Sequence, residues 1–230
     1  MHASKEKYYI TTAIAYVNGK PHIGHTLEFI QADCIARYQR MLGKEVHFLT
    51  GTDEHGQKIV EAAKAQGLPV QELVDKNTQL FRDFTKLLHM SNDDFIRTTD
   101  QKRHWPSVAK LWKKLQEKGD IYIKEYEGLY CVGCEKFILE KELVDGKCPI
   151  HLKEPRTVKE ENYFFRLSKY ADQVRELIEK DAIKVVPRTR KNEILSFLEG
   201  EVQDISFSRQ KESLSWGIPV PGDDNQIMYV

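Results

Sequence analysis

A strand, a turn, a helix and a second strand crowd into the first fifty residues, and they leave the chain few folds to choose from. "YYITTAIAYV", residues 8–17, is β-branched and aromatic around a continuous apolar middle, the pattern of a buried strand. "VNGKPH" is turn chemistry. Ile30, Ile35, Tyr38 and Leu42, with Leu27 and Cys34 beside them, recur at helical spacing. A helix from about Ile23 to Leu42 is expected, ended by Gly43, with Cys34 packed in the core on its apolar face. "EVHFLT", residues 45–50, is the second strand. Strand, helix and strand in so short a run form a βαβ unit, which requires a parallel sheet.

The pattern continues. "GQKIVEAAKAQG" predicts a helix closed by Gly67, and "VQELVDKNTQLFRDFTKLLHM" a longer one. "DDFIRTT" reads as another strand, followed by a helix from about Lys102 to Lys118 capped by Gly119. The character changes near Asp120: "DIYIKEYEGLYCVGC" alternates like a strand pair turning at Glu127-Gly128. "NYFFRLSKYADQVRELIEK" predicts a strand leading into a helix, and "RKNEILSFLEG" a short second helix. The expected division is an α/β domain over 1–119, an inserted module over 120–221, and a return strand beginning in 222–230. There is no internal repeat and no low-complexity tract.

Thirty-five basic residues balance thirty-five acidic ones, so bulk charge announces no nucleic-acid partner and any such contact must be local. No stretch approaches the roughly 18 consecutive apolar residues of a membrane span. "MHASKEKYY" has the features of neither a secretory signal nor a transit peptide. Three of the four cysteines lie between Cys131 and Cys148, beside a histidine, which favours metal over disulfides. A reducing compartment follows, and the cytoplasm is the expected location.

Ligands of parallel α/β sheets gather at the carboxyl ends of the strands. "NGKPHIGH" falls there, where a helix begins with unpaired N–H groups and a partial positive charge suited to phosphate. Gly24 allows close backbone approach, and His22 and His25 add imidazole donors. "PHIGH" resembles the HIGH motif of class I aminoacyl-tRNA synthetases. With "TTAIAYVNGKPHIGH", "FLTGTDEHG", "DDFIRTTD", "GDIYIKEYEGLYCVGCEKF" and "SWGIPVP", the chain resembles the methionyl-tRNA synthetase family, bacterial type with one zinc knuckle, collinearly over nearly its whole length.

That resemblance implies the first half of a Rossmann-like nucleotide-binding domain with an inserted zinc-binding connective peptide. It implies adenylation of methionine by ATP with Mg2+ and transfer to the acceptor end of tRNA(Met). His22 and His25 take the catalytic role, and Ala15, Tyr16, Asn18, Gly24 and His25 the ATP site. Ala13, Ile14, Tyr16 and Asp53 match the methionine pocket, Asp53 pairing with the substrate ammonium. Asp53 also reads as an N-cap of the next helix, and His55 as a residue that opens it.

Cys131-x-x-Cys134 and Cys148-x-x-His151 form two closely spaced ligand pairs suited to tetrahedral Zn2+, each beside a turn. Four protein ligands leave no open position, so the zinc is expected to be structural. The resemblance makes this knuckle part of a connective peptide that arranges the tRNA acceptor end. "PRTRKNE", residues 187–193, reads first as a solvated basic patch and second as a phosphate contact.

Class I synthetases also need a second half-fold with a lysine-rich KMSKS loop and, in this family, an anticodon-binding helical domain. Neither pattern occurs here, and the family's return strand begins near "QIMYV", where the sequence stops. The expectation is an N-terminal piece with little aminoacylation activity of its own. The alternatives are another class I synthetase, an H-x-G-H nucleotidyltransferase, and an inactive zinc-containing fragment that binds RNA or protein.

Overall fold

Residues 5–134 and 136–228 are described by a computed structural model. The opening strand is split. β1 (Lys7–Thr11) and β2 (Ala15–Tyr16) are separated by three residues, and both lie parallel to β3 (Glu45–Asp53). β4 (Asp94–Arg97) runs parallel along the opposite side of β3. β3 is thus the centre of this sheet, longer than expected because "GTD" stays paired with β2 on one side and β4 on the other.

The helices connect these strands. α1 (Ile23–Met41) follows β2; α2 (Gln57–Gln66) and α3 (Val70–Leu87) join β3 to β4; α4 (Trp105–Glu117) follows β4. Ala15, Val17, Phe29, Ile59, Val74, Phe81 and Phe95 form the main core between sheet and helices. Burying each large apolar side chain contributes about 1.5–3 kcal/mol.

The face that α1 buries differs from the expected one. Phe29, Ala32, Asp33 and Ala36 point inward, while Leu27, Ile30, Cys34, Ile35, Tyr38 and Leu42 are exposed. Two causes are visible. Ala32 and Ala36 are small enough to bring the helix close to Phe48 of β3. Asp33 is anchored inside, accepting from Ser91 N (2.7 Å) and Ser91 Oγ (2.6 Å) and pairing with Arg37. The larger apolar residues are left facing outward.

Beyond Asp120 the chain builds two antiparallel sheets. β5 (Ile121–Cys131) is one continuous strand, not the expected pair turning at Glu127-Gly128. Its long partner is β7 (Arg156–Phe165), in register from Ile121 opposite Phe165 to Tyr130 opposite Arg156. β6 (Lys136–Ile138) flanks β5, and β8 (Ile205–Ser206) flanks β7. α5 (Ser168–Glu179) and α6 (Arg188–Glu199) pack together through Ala171, Ile178 and Leu198.

β9 (Ser208–Gln210), β10 (Ile218–Val220) and β11 (Asp223–Met228) form the second sheet, in the order β10-β11-β9. The described part of the expected return strand is therefore β11. Among the described residues it pairs antiparallel with β9 and β10, not with the parallel sheet. The hairpin joining β10 to β11 spans the expected boundary at 221. Tyr229 and Val230 lie outside the described residues.

Candidate active site and metal cluster

His22 is the N-cap of α1, and it and His25 cap each other's backbone. Gly24 N donates to His22 Nδ1 (3.1 Å), and His22 N donates to His25 Nδ1 (3.1 Å). The rings sit 3.9 Å apart, centroid to centroid, tilted by 34°. His25 also sets its ring edge-on to Phe81 of α3 at 5.0 Å. Burial, followed by the neighbouring His22, holds the His25 pKa below its ordinary value of 6.5, against weaker pulls from Glu28 and the His22 backbone.

This geometry fixes the tautomers. A ring nitrogen that accepts an N–H carries no proton, so the neutral form of each imidazole is protonated at Nε2. Both rings therefore present an Nε2–H donor. A Cβ at Gly24 would stand 2.9 Å from His22 Cε1, so the glycine also makes room for the folded-back imidazole.

The α1 N-terminus stands at the carboxyl edge of the sheet, where Tyr16 pairs with Asp53 and Val17 N donates to Asp53 O (3.2 Å). Asp53 does not cap α2, because the cap is Gly56 and it makes no side-chain bond. Ala13 is exposed, but its N–H already meets Glu28 Oε1 (2.5 Å). Ile14 and Tyr16 are half-buried, the latter with Lys58 over its ring. Ala15 belongs to the core, leaving only its backbone for a ligand, and Asn18 is exposed on the turn.

His55 does not open α2 either. It is 6% exposed and packed against Trp105 and Trp216, with ring centroids 6.5 and 5.9 Å away. Burial lowers its pKa to about 4, so the ring is neutral.

Between Asp53 and His55 lies Glu54, which the sequence reading passed over. It is fully buried. Arg97 Nε donates to both its oxygens (2.8 and 3.0 Å), Thr52 and Thr78 hydroxyls to Oε1 (2.6 and 2.7 Å), and Thr99 Oγ1 to Oε2. Its carbonyl accepts from Trp216 Nε1 (2.6 Å). Breaking a buried pair by removing one partner costs about 3–5 kcal/mol, so this carboxylate pins the loop that carries Asp53. A lone Glu in a polar loop gives no sequence signal for that, since its partners come from three other segments.

Cys131, Cys134, Cys148 and His151 come together as expected, their ligand atoms all within 4.8 Å of one another. Cys134 Sγ lies 3.5 Å from Cys148 Sγ, and His151 Nδ1 lies 3.3, 3.8 and 3.9 Å from the sulfurs of Cys134, Cys148 and Cys131. Burial opposes ionisation of Cys148, but hydrogen bonds from the His151 backbone and ring outweigh it and bring the thiol to about 6. Gly133 lets the His151 ring close in, since a Cβ there would meet it at 2.4 Å. Three thiols and an imidazole this close together could hold one metal ion. The basic run on α6 is largely neutralised, Arg190 by Glu193 and Lys191 by Asp181. No described helix is long and apolar enough to cross a membrane.

A model of tRNA synthetases of class I (M) matches residues 8–157 and 139–230. The methionine–tRNA ligase of Brucella suis is 46% identical over 99% of this chain and 44% of its own length; that of Clostridium perfringens is 47% identical over 98% and 35%. A structure of Mycobacterium tuberculosis methionyl-tRNA synthetase bound by methionyl-adenylate has 42% identity and a TM-score of 0.91, covering 97% of this chain and 45% of that one. The apo form of the same enzyme gives 38% identity and a TM-score of 0.79. The chain spans less than half the length of these relatives. It belongs to the tRNA synthetases of class I (M).

Proposed function

We propose that this chain supplies the first nucleotide-binding half-fold and the connective peptide of a methionine–tRNA ligase. The observation that carries the reading is the pair of imidazoles at the N-terminus of α1, each accepting a backbone N–H at Nδ1 and so left with Nε2 as donor, beside the carboxyl ends of β2 and β3. A methionine carboxylate oxygen attacks the α-phosphorus of ATP, and the bond to the bridging oxygen breaks as pyrophosphate leaves. Negative charge builds on the phosphoryl oxygens. Donors fixed in advance, with no reorganisation needed, stabilise that charge. Each ring is held by a backbone N–H, His22 by that of Gly24 and His25 by that of His22, so they meet this requirement.

Asp53 pairs with the methionine ammonium, and Glu54 holds its loop in place. Tyr16, Ile14 and the exposed Ala13 form the wall beside it. The terminal ribose hydroxyl of tRNA(Met) then attacks the activated carbonyl carbon, and AMP leaves. Mg2+ bound with ATP supplies further charge neutralisation.

The four-residue cluster fits Zn2+. With Zn–S near 2.3 Å and Zn–N near 2.0–2.1 Å, a tetrahedron has edges of about 3.8 Å between sulfurs and about 3.6 Å from sulfur to nitrogen. Four of the six separations, 3.3–3.9 Å, lie near these edges, and all six are within 4.8 Å. Four protein ligands make the ion structural, and a reducing cytoplasm keeps its thiols available. The division of the chain at 119/120 belongs to the same reading: the buried Asp120, bound by Lys169 and Tyr170, marks the root of the connective peptide.

In the intact ligase, His25→Ala is expected to lower methionine-dependent ATP–pyrophosphate exchange more than tenfold while leaving the circular dichroism spectrum unchanged. Loss of one such donor elsewhere costs about 2.7–4 kcal/mol of barrier. Unaltered exchange, or exchange driven better by another amino acid, defeats the proposal.

A further inference from the structure

The chain as a whole is neutral, yet its charge is unevenly placed. Residues 102–118 carry Lys102, Arg103, Lys110, Lys113, Lys114 and Lys118 against the single carboxylate of Glu117, and all are exposed. Arg103 is paired with Asp94. None of the five lysines has an ion-pair partner among the described residues. Lys110, Lys113 and Lys114 line one shallow depression along α4 with Pro106, Ala109 and Glu117, whose single carboxylate faces three ammonium groups.

The fold does not explain this charge. Lys110 with Lys113 or Lys114, and Lys114 with Lys118, are like pairs at helical i,i+3 or i,i+4 spacing, each costing roughly 0.2–0.5 kcal/mol. The helix dipole favours Lys114 and Lys118 near the C-terminus but opposes Lys102 and Arg103 ahead of the N-terminus. Meanwhile the opposite face is rigidly seated. Trp112 is buried against Ile121, Ile218 and Val220, and Trp105 Nε1 donates to Thr98 O (3.0 Å).

We propose that the lysine face of α4 docks on the phosphate backbone of an RNA duplex, the stem of the tRNA that the proposed ligase charges; the inference rests on that reading. From Lys110 to Lys118 the helix rises about 12 Å. A nucleic-acid duplex presents on the order of seven phosphates over such a length. Lysines deliver point charges to phosphate without reading sequence, as backbone positioning requires. A protein partner fits poorly, because interface cores are depleted in lysine. α4 also runs straight into Gly119-Asp120, where the connective module begins, so a stem held there lies beside both parts of the chain.

The test is fluorescence anisotropy of a labelled methionine-acceptor tRNA transcript titrated with the 230-residue chain at 50–200 mM KCl. The triple variant Lys110→Gln/Lys113→Gln/Lys114→Gln is expected to weaken binding at least tenfold at 100 mM. The slope of log affinity against log salt should fall by about 2–3, roughly one per lost contact. Arg188→Gln/Arg190→Gln on α6 should change neither. Equal affinity and slope for the triple variant and the parent chain overturn the proposal, as does undetectable binding by the parent. Equal competition by polyglutamate also overturns it, showing a general polyanion surface. In the intact ligase the triple variant should keep its methionine-dependent pyrophosphate exchange while the KM for tRNA rises. Absence of exchange in the unsubstituted ligase fails the functional reading alone, since the RNA titration does not depend on it.

Discussion

The two imidazoles of the α1 cap show how far single residues were legible. Their place after a strand and before a helix pointed to a ligand edge, and the structure puts them there. Their spacing could not tell that each Nδ1 is spent on backbone, or that a Cβ at Gly24 would crowd the His22 ring. His55 was less legible still, because its neighbours Trp105 and Trp216 are 50 and 161 residues away in sequence. Its burial has a thermodynamic consequence. The folded pKa, about 4, lies below the unfolded value of 6.5, so the unfolded chain binds more protons between these limits. The stabilisation is complete above pH 6.5 and is lost as pH falls toward 4, by about 3 kcal/mol in total. His25 and His104, also lowered, act in the same direction. Urea unfolding at pH 7 and pH 4.5 should show a smaller pH dependence in His55→Asn than in the parent. Equal dependence in the two proteins would refute the assignment.

At the scale of elements, local signals served well and non-local ones did not. The helices ended by Gly67 and Gly119 follow from those residues, both at positive φ. The strand β5 was misread as a hairpin because Glu127-Gly128 resembles a turn. Its true partner, β7, begins at Arg156, and no local window contains that pairing. The face of α1 was misjudged because both of its sides are apolar, and the small residues won the inner one. The two cysteine-containing pairs come together as their spacing leads one to expect, because that spacing is itself local. Around them, Cys131, Ile138 and Cys148 form a small cluster of their own, so this tip has little core beyond the proposed zinc. Chelation with phenanthroline, or Cys148→Ser, should release one zinc per chain and speed amide exchange across residues 144–153. The helices α1–α4 should keep their protection. Full zinc occupancy in Cys148→Ser would contradict the ligand set.

Across the whole molecule, the parallel sheet has two edges, one along β4 and one along β1 and β2, that pair with no other described strand. Beside the β1–β2 edge, α1 exposes Leu27, Ile30, Tyr38 and Met41. Exposed apolar surface of this kind marks an interaction face. In the proposed ligase, a second half-fold fits against it and brings the remaining ATP contacts. The 230-residue chain by itself should therefore self-associate, with a sedimentation coefficient that rises with concentration. Ile30→Glu/Tyr38→Glu should remove that rise; a parent chain monomeric at all concentrations would tell against an apolar docking face. Adenylation at this site requires the capping imidazoles to face a nucleoside triphosphate through Nε2–H. Long-range proton–nitrogen NMR of the histidine rings, recorded as Mg·ATP is added, tests that most directly. The prediction is that His22 and His25 are both Nε2-protonated at pH 7.5 and that their Nε2 resonances move together on addition of ATP. Rings protonated at Nδ1, or resonances that stay fixed while other residues respond to ATP, would contradict it.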